Sequence, residues 1–226
     1  MYSGRTAARA YALLKGEKFD AVVIVGPSHH SMFNGVTLFD GSAYQTPIGL
    51  VPINKEVQKR LLENCDCAFL SDEGHREEHS IEVQLPFLQR ILGDFSFVPV
   101  PMGEQSFETC KKLANGLVKI GKEKNILFVA SSDLSHYHPY ARARELDRRV
   151  MEKIEKYDIE GLHKLFESGS AEACGAGPIM TIMMTAKELN ANQATIVHSC
   201  NSGDVAGNRD AVVGYLSAVF STVPSQ

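Results

Sequence analysis

The chain has 226 residues, of which 44% are hydrophobic and 22% are charged, and this composition is typical of a globular protein with a sizeable core. Its net charge of −4 and its scattered Lys and Arg residues argue against nucleic acid as a partner. No stretch reaches the roughly 18–20 apolar residues that span a bilayer, and the first residues lack the apolar segment of a signal peptide. We therefore expect one domain over residues 1–226, a cytoplasmic location and no membrane partner.

Apolar runs alternate with amphipathic stretches along the whole chain. The runs predict strands at 19–25, 36–39, 49–53, 95–100, 126–130, 195–199 and 211–220. The amphipathic stretches predict helices at 3–17, 54–63 with Asn54 as the cap, 78–92 with a bend at Pro86, 106–122, 141–157, 159–168 and 177–190. Such alternation predicts an α/β three-layer sandwich with a mostly parallel central sheet flanked by helices, in which one or two strands can be antiparallel. The last strand is long and apolar enough to cross the middle of a sheet.

Cysteine usage adds little at the sequence level. The chain has five cysteines, an odd number in a protein too large to need disulfides. Cys65-Asp66-Cys67 is one residue tighter than the usual redox or zinc pair. We read these two as ordinary thiols.

Five polar motifs follow apolar runs or open helices, and parallel strands bring their carboxyl ends to one crevice. The motifs are Gly26-Pro27-Ser28-His29-His30, Glu77-Glu78-His79-Ser80-Ile81-Glu82, Ser131-Ser132-Asp133-Leu134-Ser135-His136, Cys174-Gly175-Ala176-Gly177-Pro178 and Asn201-Ser202-Gly203-Asp204. Their order and placement predict one buried metal site.

Two motifs carry metal-ligand chemistry. A neutral imidazole such as His29 or His30 on a turn at a strand end is well placed to bind a metal, although two loop histidines also bond to main chain. Cys174 precedes an apolar helix whose N-terminus favours the thiolate that binds metals or acts as a nucleophile. A buried cysteine used as a small apolar residue is the alternative.

Two further motifs carry acid–base groups. Asp133 and His136 are three residues apart, so the carboxylate can orient the imidazole as a general base, or can simply cap a helix. Glu78, His79 and Glu82 fit an edge that faces substrate or supports the ligands, yet acidic groups in a first helical turn also complement the helix dipole. The remaining polar candidates near the crevice are His138 and Asn201, the latter in a sequence typical of a turn. We expect His75 to be a solvated loop residue.

These motifs, in this order and beginning with Tyr2-Ser3-Gly4, resemble the Memo family over nearly the whole chain. That family includes protein B of the AmmeMemoRadiSam system and an animal cell-motility mediator. It resembles class III extradiol dioxygenases in fold. Its presumed site has two histidines and a cysteine where the dioxygenases have two histidines and a glutamate.

The resemblance assigns roles to individual residues. His29 matches a metal histidine, Cys174 the cysteine ligand, and His136 the acid–base histidine with Asp133 beside it. The family's first metal histidine lies in a His-Ala-Gly-Tyr segment upstream of Tyr2, where this sequence has Met1. We expect that an internal start has removed this segment together with its strand; the alternative is a protein that works with an incomplete site.

Three functions fit these residues. The first is a metal-dependent redox enzyme that holds Fe(II), with copper or zinc as alternatives because thiolate is a softer ligand than carboxylate, and that acts on a small-molecule substrate. The second is a non-catalytic module that binds a metal, a peptide or a small molecule and works with AmmeMemoRadiSam proteins. The third is a nucleophilic enzyme that uses Cys174 with a histidine base.

Overall fold

A computed structural model describes residues 2–222, so Met1 and residues 223–226, the two ends of the predicted domain, lie outside it. Its strands are β1 (Ala21–Pro27), β2 (Val36–Leu38), β3 (Ala43–Thr46), β4 (Gly49–Pro52), β5 (Ala68–Leu70), β6 (Phe97–Met102), β7 (Ile126–Ala130), β8 (His136–His138), β9 (Gln193–Asn201) and β10 (Val212–Ser221). Its helices are α1 (Gly4–Tyr11), α2 (Lys55–Asn64), α3 (Leu85–Leu92), α4 (Phe107–Gly121), α5 (Tyr140–Glu155), α6 (Ile159–Glu167), α7 (Ala176–Glu188) and α8 (Ser202–Ala206).

The central sheet has the strand order β5-β2-β6-β1-β7. β1 runs parallel to β6 and to β7, while β2 runs parallel to β5 and antiparallel to β6. All seven residues of β1 are buried, as expected for an uninterrupted apolar run in a strand that is covered on both faces. The predicted mostly parallel sheet is confirmed.

Side chains of β1 alternate between two apolar layers. Val23 and Val25 pack into a cluster formed with α2, α4, α5, α6 and α7. Val22 and Ile24 pack on the other face, against α1 and α3. Helices therefore cover both faces of the sheet, and the predicted three-layer sandwich is confirmed.

The last two strands form a second sheet. β9 and β10 pair antiparallel, and β10 also pairs with β8, which makes a separate three-stranded sheet. β10 is the middle strand of this sheet, as its length and apolar sequence predict. The main-chain groups of Gly214 in β10 bond to Leu134 and Ser135 at 2.9 Å each, so the second sheet begins where the chain leaves β7.

The predicted helix at 78–92 is shorter in the structure. A 3₁₀ turn spans Glu82–Gln84 and α3 begins at Leu85. Pro86 lies in the first turn of α3, where its missing N–H costs no helical hydrogen bond. It therefore does not bend the helix, and Glu78 lies before the helical segment.

Local side-chain caps set several helix starts. Asn54 accepts the N–H of Val57 at α2, as predicted, and Ser106 accepts that of Thr109 at α4. These bonds satisfy main-chain donors that have no partner inside the helix. None of the described helices is long and apolar enough to cross a membrane.

Candidate functional site

A cavity of about 1600 Å³ opens at the carboxyl ends of β1 and β7 and extends along β7 and β10. Five of the predicted site residues line it: His29, His79, Asp133, His136 and Cys174. They lie together because β1 and β7 are parallel neighbours that end at the same edge of the sheet. The structure therefore brings residues from four of the five motifs into one crevice.

Glu78 holds His29 in place. His29 donates its main-chain N–H to Oε2 of Glu78 at 2.5 Å, and its ring Nδ1 lies 2.9 Å from Oε1. The Glu78 side chain is only 2% exposed, and it also accepts the main-chain N–H groups of His79 and Ser80 at 2.9 and 2.8 Å. A carboxylate on Nδ1 leaves Nε2 as the free ring nitrogen, which is the usual arrangement of a metal-binding histidine.

The hydrogen bonds to Glu78 also determine its charge. Burial raises the pKa of this carboxyl, but the bonds from His29 and from the main chain of Ser80 outweigh burial and lower the pKa to about 2. Glu78 is therefore an anion at neutral pH. It accepts four hydrogen bonds, about as many as a carboxylate can, so it orients His29 rather than offering an oxygen to an ion.

His79 is more exposed than His29. Its ring stacks on that of His29, with centroids 4.9 Å apart and planes 15° apart, and its side chain is 60% exposed. Potential ligand atoms of His29, Glu78 and His79 lie within 4.8 Å of one another, the one such group among residues 2–222. Because imidazole lone pairs lie in the ring plane, stacked rings do not point at one ion, and His79 has to rotate to share a metal with His29.

Cys174 lies on another part of the cavity wall and does not belong to that group. Its sulfur accepts the N–H of Asp133 at 3.1 Å and lies 3.7 Å from Oγ of Ser132. Ser132 in turn accepts the N–H of Gly175 at 2.8 Å. Burial raises the pKa of the Cys174 thiol and outweighs these bonds, which opposes the lowering expected from the N-terminus of the following helix.

Asp133 lines the cavity together with His29, His79 and His136. Burial raises its pKa, while the nearby charges of His136, His79 and His29 lower it in part. Tyr215 of β10, which sequence reasoning missed, lines the same wall. Burial and the charge of Asp133 raise the pKa of this phenol to about 12, so Tyr215 is a proton donor at neutral pH.

A bulge in β8 separates His136 from His138. Two consecutive residues of β10, Val212 and Val213, pair with residues two apart in β8, and Tyr137 between them has a φ of 61°. His136 faces the cavity, whereas His138 bonds to Glu172 at 2.8 Å.

Sequence comparison points to the same family as the motifs. A family model described as Memo-like protein matches residues 1–219. This chain belongs to the Memo family. The MEMO1 family protein of Sulfolobus acidocaldarius is 38% identical over 224 residues, which cover 97% of this chain and 78% of that protein. The MEMO1 family protein of Methanosarcina mazei is 39% identical over 222 residues, covering 97% of this chain and 81% of that protein.

A solved structure resembles this Memo-family chain in fold. The crystal structure of the uncharacterized protein JW3007 from Escherichia coli K12 matches with a TM-score of 0.65, covering 95% of this chain and 92% of that one. The two sequences are 16% identical. At that identity the likeness extends to the fold alone.

The other predicted site residues of the Memo-family chain lie away from the wall of the described cavity. The exposed side chain of His30 reaches only the edge of His79, with ring centroids 6.3 Å apart. Glu82 is exposed in the 3₁₀ turn and lies near Tyr44. Asn201 caps α8 by accepting the N–H of Asp204 at 3.2 Å, so its motif opens a short helix rather than a crevice loop.

His75 is buried, and the prediction of a solvated loop residue is wrong. The residue is 7% exposed, and its Nδ1 lies 2.6 Å from the hydroxyl of Tyr44. Nε2 has no hydrogen-bond partner among the described residues. Burial lowers the pKa of His75 to about 4, against a smaller opposing effect of Asp72. His75 is a neutral core residue at pH 7.

Gly175→Ala is expected to destabilise the Cys174 wall by about 1–3 kcal/mol. A Cβ at this position would overlap the carbonyl oxygen of Ser131 and lie 2.8 Å from Cβ of Ser132. Thermal unfolding measures the loss, and faster alkylation of Cys174 reports the opened wall. Gly4→Ala is the control, since its Cβ would meet nothing closer than 3.9 Å; equal unfolding temperatures for the two variants would contradict the expectation.

Proposed function

We propose that this Memo-family protein binds a first-row transition metal at His29 and acts as a redox enzyme on a small molecule in the cavity. The observation that supports this most strongly is the buried carboxylate of Glu78, which bonds to both the ring and the main chain of His29. A histidine with only a structural role in a loop does not need to donate two hydrogen bonds to a buried carboxylate. Such bonds are needed by a histidine that must hold Nε2 in one direction.

The donors on the cavity wall suit such a metal. His29 is oriented, His79 can rotate toward the same ion, and Cys174 offers a thiolate once a metal displaces its proton. Resemblance to the dioxygenases favours Fe(II), while the sulfur favours copper or zinc. When bound, the metal would polarise a substrate oxygen as a Lewis acid.

Proton transfer falls to the groups around the metal donors. His136 lines the cavity, and its charge is close enough to Asp133 to lower the pKa of that carboxyl group. His136 can therefore take a proton from a substrate while the carboxylate of Asp133 stabilises the imidazolium that forms. The Tyr215 hydroxyl, protonated at neutral pH, can donate to a substrate oxygen in the same cavity.

The size of the cavity favours a second candidate function, a binding module. About 1600 Å³ exceeds the roughly 300–1,000 Å³ typical of small-molecule sites, and a peptide would fill more of it. The third candidate, a metal-independent nucleophile, is less favourable because burial raises the pKa of Cys174. AmmeMemoRadiSam partners and a cytoplasmic location stay predictions.

Metal analysis of tag-free protein purified without chelator tests the proposal. We expect near-stoichiometric iron, copper or zinc in the wild type, and loss of that metal in His29→Ala and in Cys174→Ala. His163→Ala is the matched control, because His163 stacks on Phe107 with ring centroids 4.2 Å apart and lies outside the cavity wall. Metal content that is the same in all four proteins would contradict a site at His29.

His136→Ala separates the enzyme from the binding module. Under the enzyme proposal this variant keeps its metal but loses metal-dependent oxygen consumption with small aromatic diols as trial substrates. Under the module proposal neither the wild type nor the variant consumes oxygen, while both bind the same ligand. Oxygen consumption that is equal in the two proteins would exclude His136 as the acid–base group.

A further inference from the structure

A pair of thiols lies outside the cavity, at the junction of α2 and β5. The sulfur atoms of Cys65 and Cys67 are 3.2 Å apart. Cys65 is 2% exposed, and Cys67 is half-buried and more accessible. The remaining cysteines of the chain are free, and the bonds described for their sulfurs lead to Ser, Thr or main-chain groups.

The main chain holds these two sulfurs together. The N–H of Ala68 donates to the carbonyl of Cys65 at 3.0 Å, which closes a turn over Cys65-Asp66-Cys67-Ala68. The N–H of Val36 donates to the carbonyl of Cys67 at 2.9 Å, which fixes the other end of the turn to β2. The short distance between the two sulfurs is therefore fixed by main-chain hydrogen bonds of the fold.

Packing keeps the turn from opening. A Cβ at Gly116 of α4 would lie 3.0 Å from Cβ of Cys65, and a Cβ at Gly35 would lie 3.2 Å from Cβ of Cys67. Helix α4 and the start of β2 thus press on the two cysteines from either side. The thiol–thiol hydrogen bond lowers the pKa of Cys65 and raises that of Cys67, so Cys65 is the thiol of the pair that ionises first.

We propose that Cys65 and Cys67 are a redox-modification site that low-molecular-weight disulfides convert reversibly to an internal disulfide. After the pair has lost one proton, the remaining proton passes from Cys67 to Cys65 across the 3.2 Å contact. The resulting thiolate of the accessible Cys67 attacks one sulfur of the small disulfide, forming a mixed disulfide and releasing one small thiol. The thiolate of Cys65 then attacks the Cys67 sulfur, closing the protein disulfide and releasing the second small thiol. The protein loses two electrons and two protons, and the small disulfide gains them.

The geometry of the turn makes a Cys65–Cys67 disulfide easy to reduce. An S–S bond is about 2.0 Å long, so the sulfurs close by about 1.2 Å from their 3.2 Å separation. A disulfide across a single residue is strained in the folded and the unfolded chain alike, so it is more easily reduced than a structural disulfide, and the fold offsets part of this strain by holding the sulfurs close together. The two thiols therefore return when the reduced small thiol is in excess, which distinguishes a switch from a permanent crosslink.

The test uses the full chain equilibrated in buffers of reduced and oxidised glutathione, then acid-quenched, alkylated and digested with trypsin. Both cysteines fall on the peptide of residues 61–76. We expect this peptide to be unalkylated and lighter by two hydrogens in oxidising buffer, and doubly alkylated in reducing buffer. Alkylation is done on the unfolded chain, so the buried Cys110 is the internal control and should be alkylated equally after both buffers.

Two serine variants assign the steps. Cys65→Ser is expected to stop at a stable glutathione adduct on Cys67, whereas Cys67→Ser reacts slowly because Cys65 is buried. The native chain should reach half-oxidation at an about tenfold lower fraction of oxidised glutathione than the urea-unfolded chain, since the fold already holds the sulfurs in contact. Two separate glutathione adducts, or equal oxidation of native and unfolded chains, would overturn the proposal.

Discussion

Replacing Glu78 with alanine is expected to lower the free energy of unfolding by about 3–5 kcal/mol, the usual cost of removing one partner of a buried charged network. The change removes the acceptor of main-chain N–H groups of His29, His79 and Ser80 and frees the His29 ring. Urea unfolding measures the loss. Metal binding at His29 should disappear with it.

Two matched variants test whether the loss of stability comes from the hydrogen bonds of Glu78 or from the removal of a charged side chain. Glu77→Ala alters the exposed neighbour and should change stability by less than about 0.5 kcal/mol. Glu78→Gln keeps the shape but not the charge, so we expect a folded protein whose metal affinity is about 10- to 100-fold lower. If Glu78→Ala unfolds at the same urea concentration as Glu77→Ala, Glu78 does not organise the site.

Acid is expected to destabilise the protein through His75 by about 3 kcal/mol between pH 6.5 and 4. The pKa of His75 falls from 6.5 to about 4 on folding, so in this range the unfolded state binds the proton and the folded state does not. The stabilising effect is complete above pH 6.5 and is lost as the pH falls toward 4. Unfolding free energies measured across this range give the slope.

His75→Phe tests which group is responsible. The aromatic neighbours Phe39 and Tyr44 can accept a phenyl ring, and the variant has no group to titrate at this position. Its stability should change less with pH between 6.5 and 4 than that of the wild type, whereas His163→Ala should keep the wild-type slope. Parallel curves for His75→Phe and the wild type would exclude His75 as the acid-sensitive group.

The sequence was most informative where local signals and burial agree. β7 matches the predicted run 126–130, and Asn54 caps α2 as expected. The predicted start of α3 is too early because Glu78 resembles a first-turn acidic residue, whereas its carboxylate binds His29 and the helical segment begins only at Glu82. The alternation of helices and strands does not show which sheet a strand joins, so the second sheet of β8, β9 and β10 is not predictable from it.

The sequence predicts which motifs meet in the crevice, but it does not predict how their side chains are oriented there. Parallel strand ends bring His29 and Asp133 to one crevice in any fold of this class. The separation of His136 from His138 depends on a bulge at Tyr137, which has a positive φ. A positive φ is usually indicated in a sequence by glycine, so a tyrosine at this position gives no sign of the bulge. Tyr215 was missed because it lies inside an apolar strand.

The contacts that build the crevice also bear on the order in which the chain folds. Glu78 meets His29 across 49 positions and Cys174 meets Asp133 across 41. Loops of this length close slowly, because their entropy is lost before any contact repays it. The crevice therefore forms with the sheet and not ahead of it. A ligand that bound only the folded crevice would add stability to the finished fold by mass action, and its removal would leave a folded protein of lower stability.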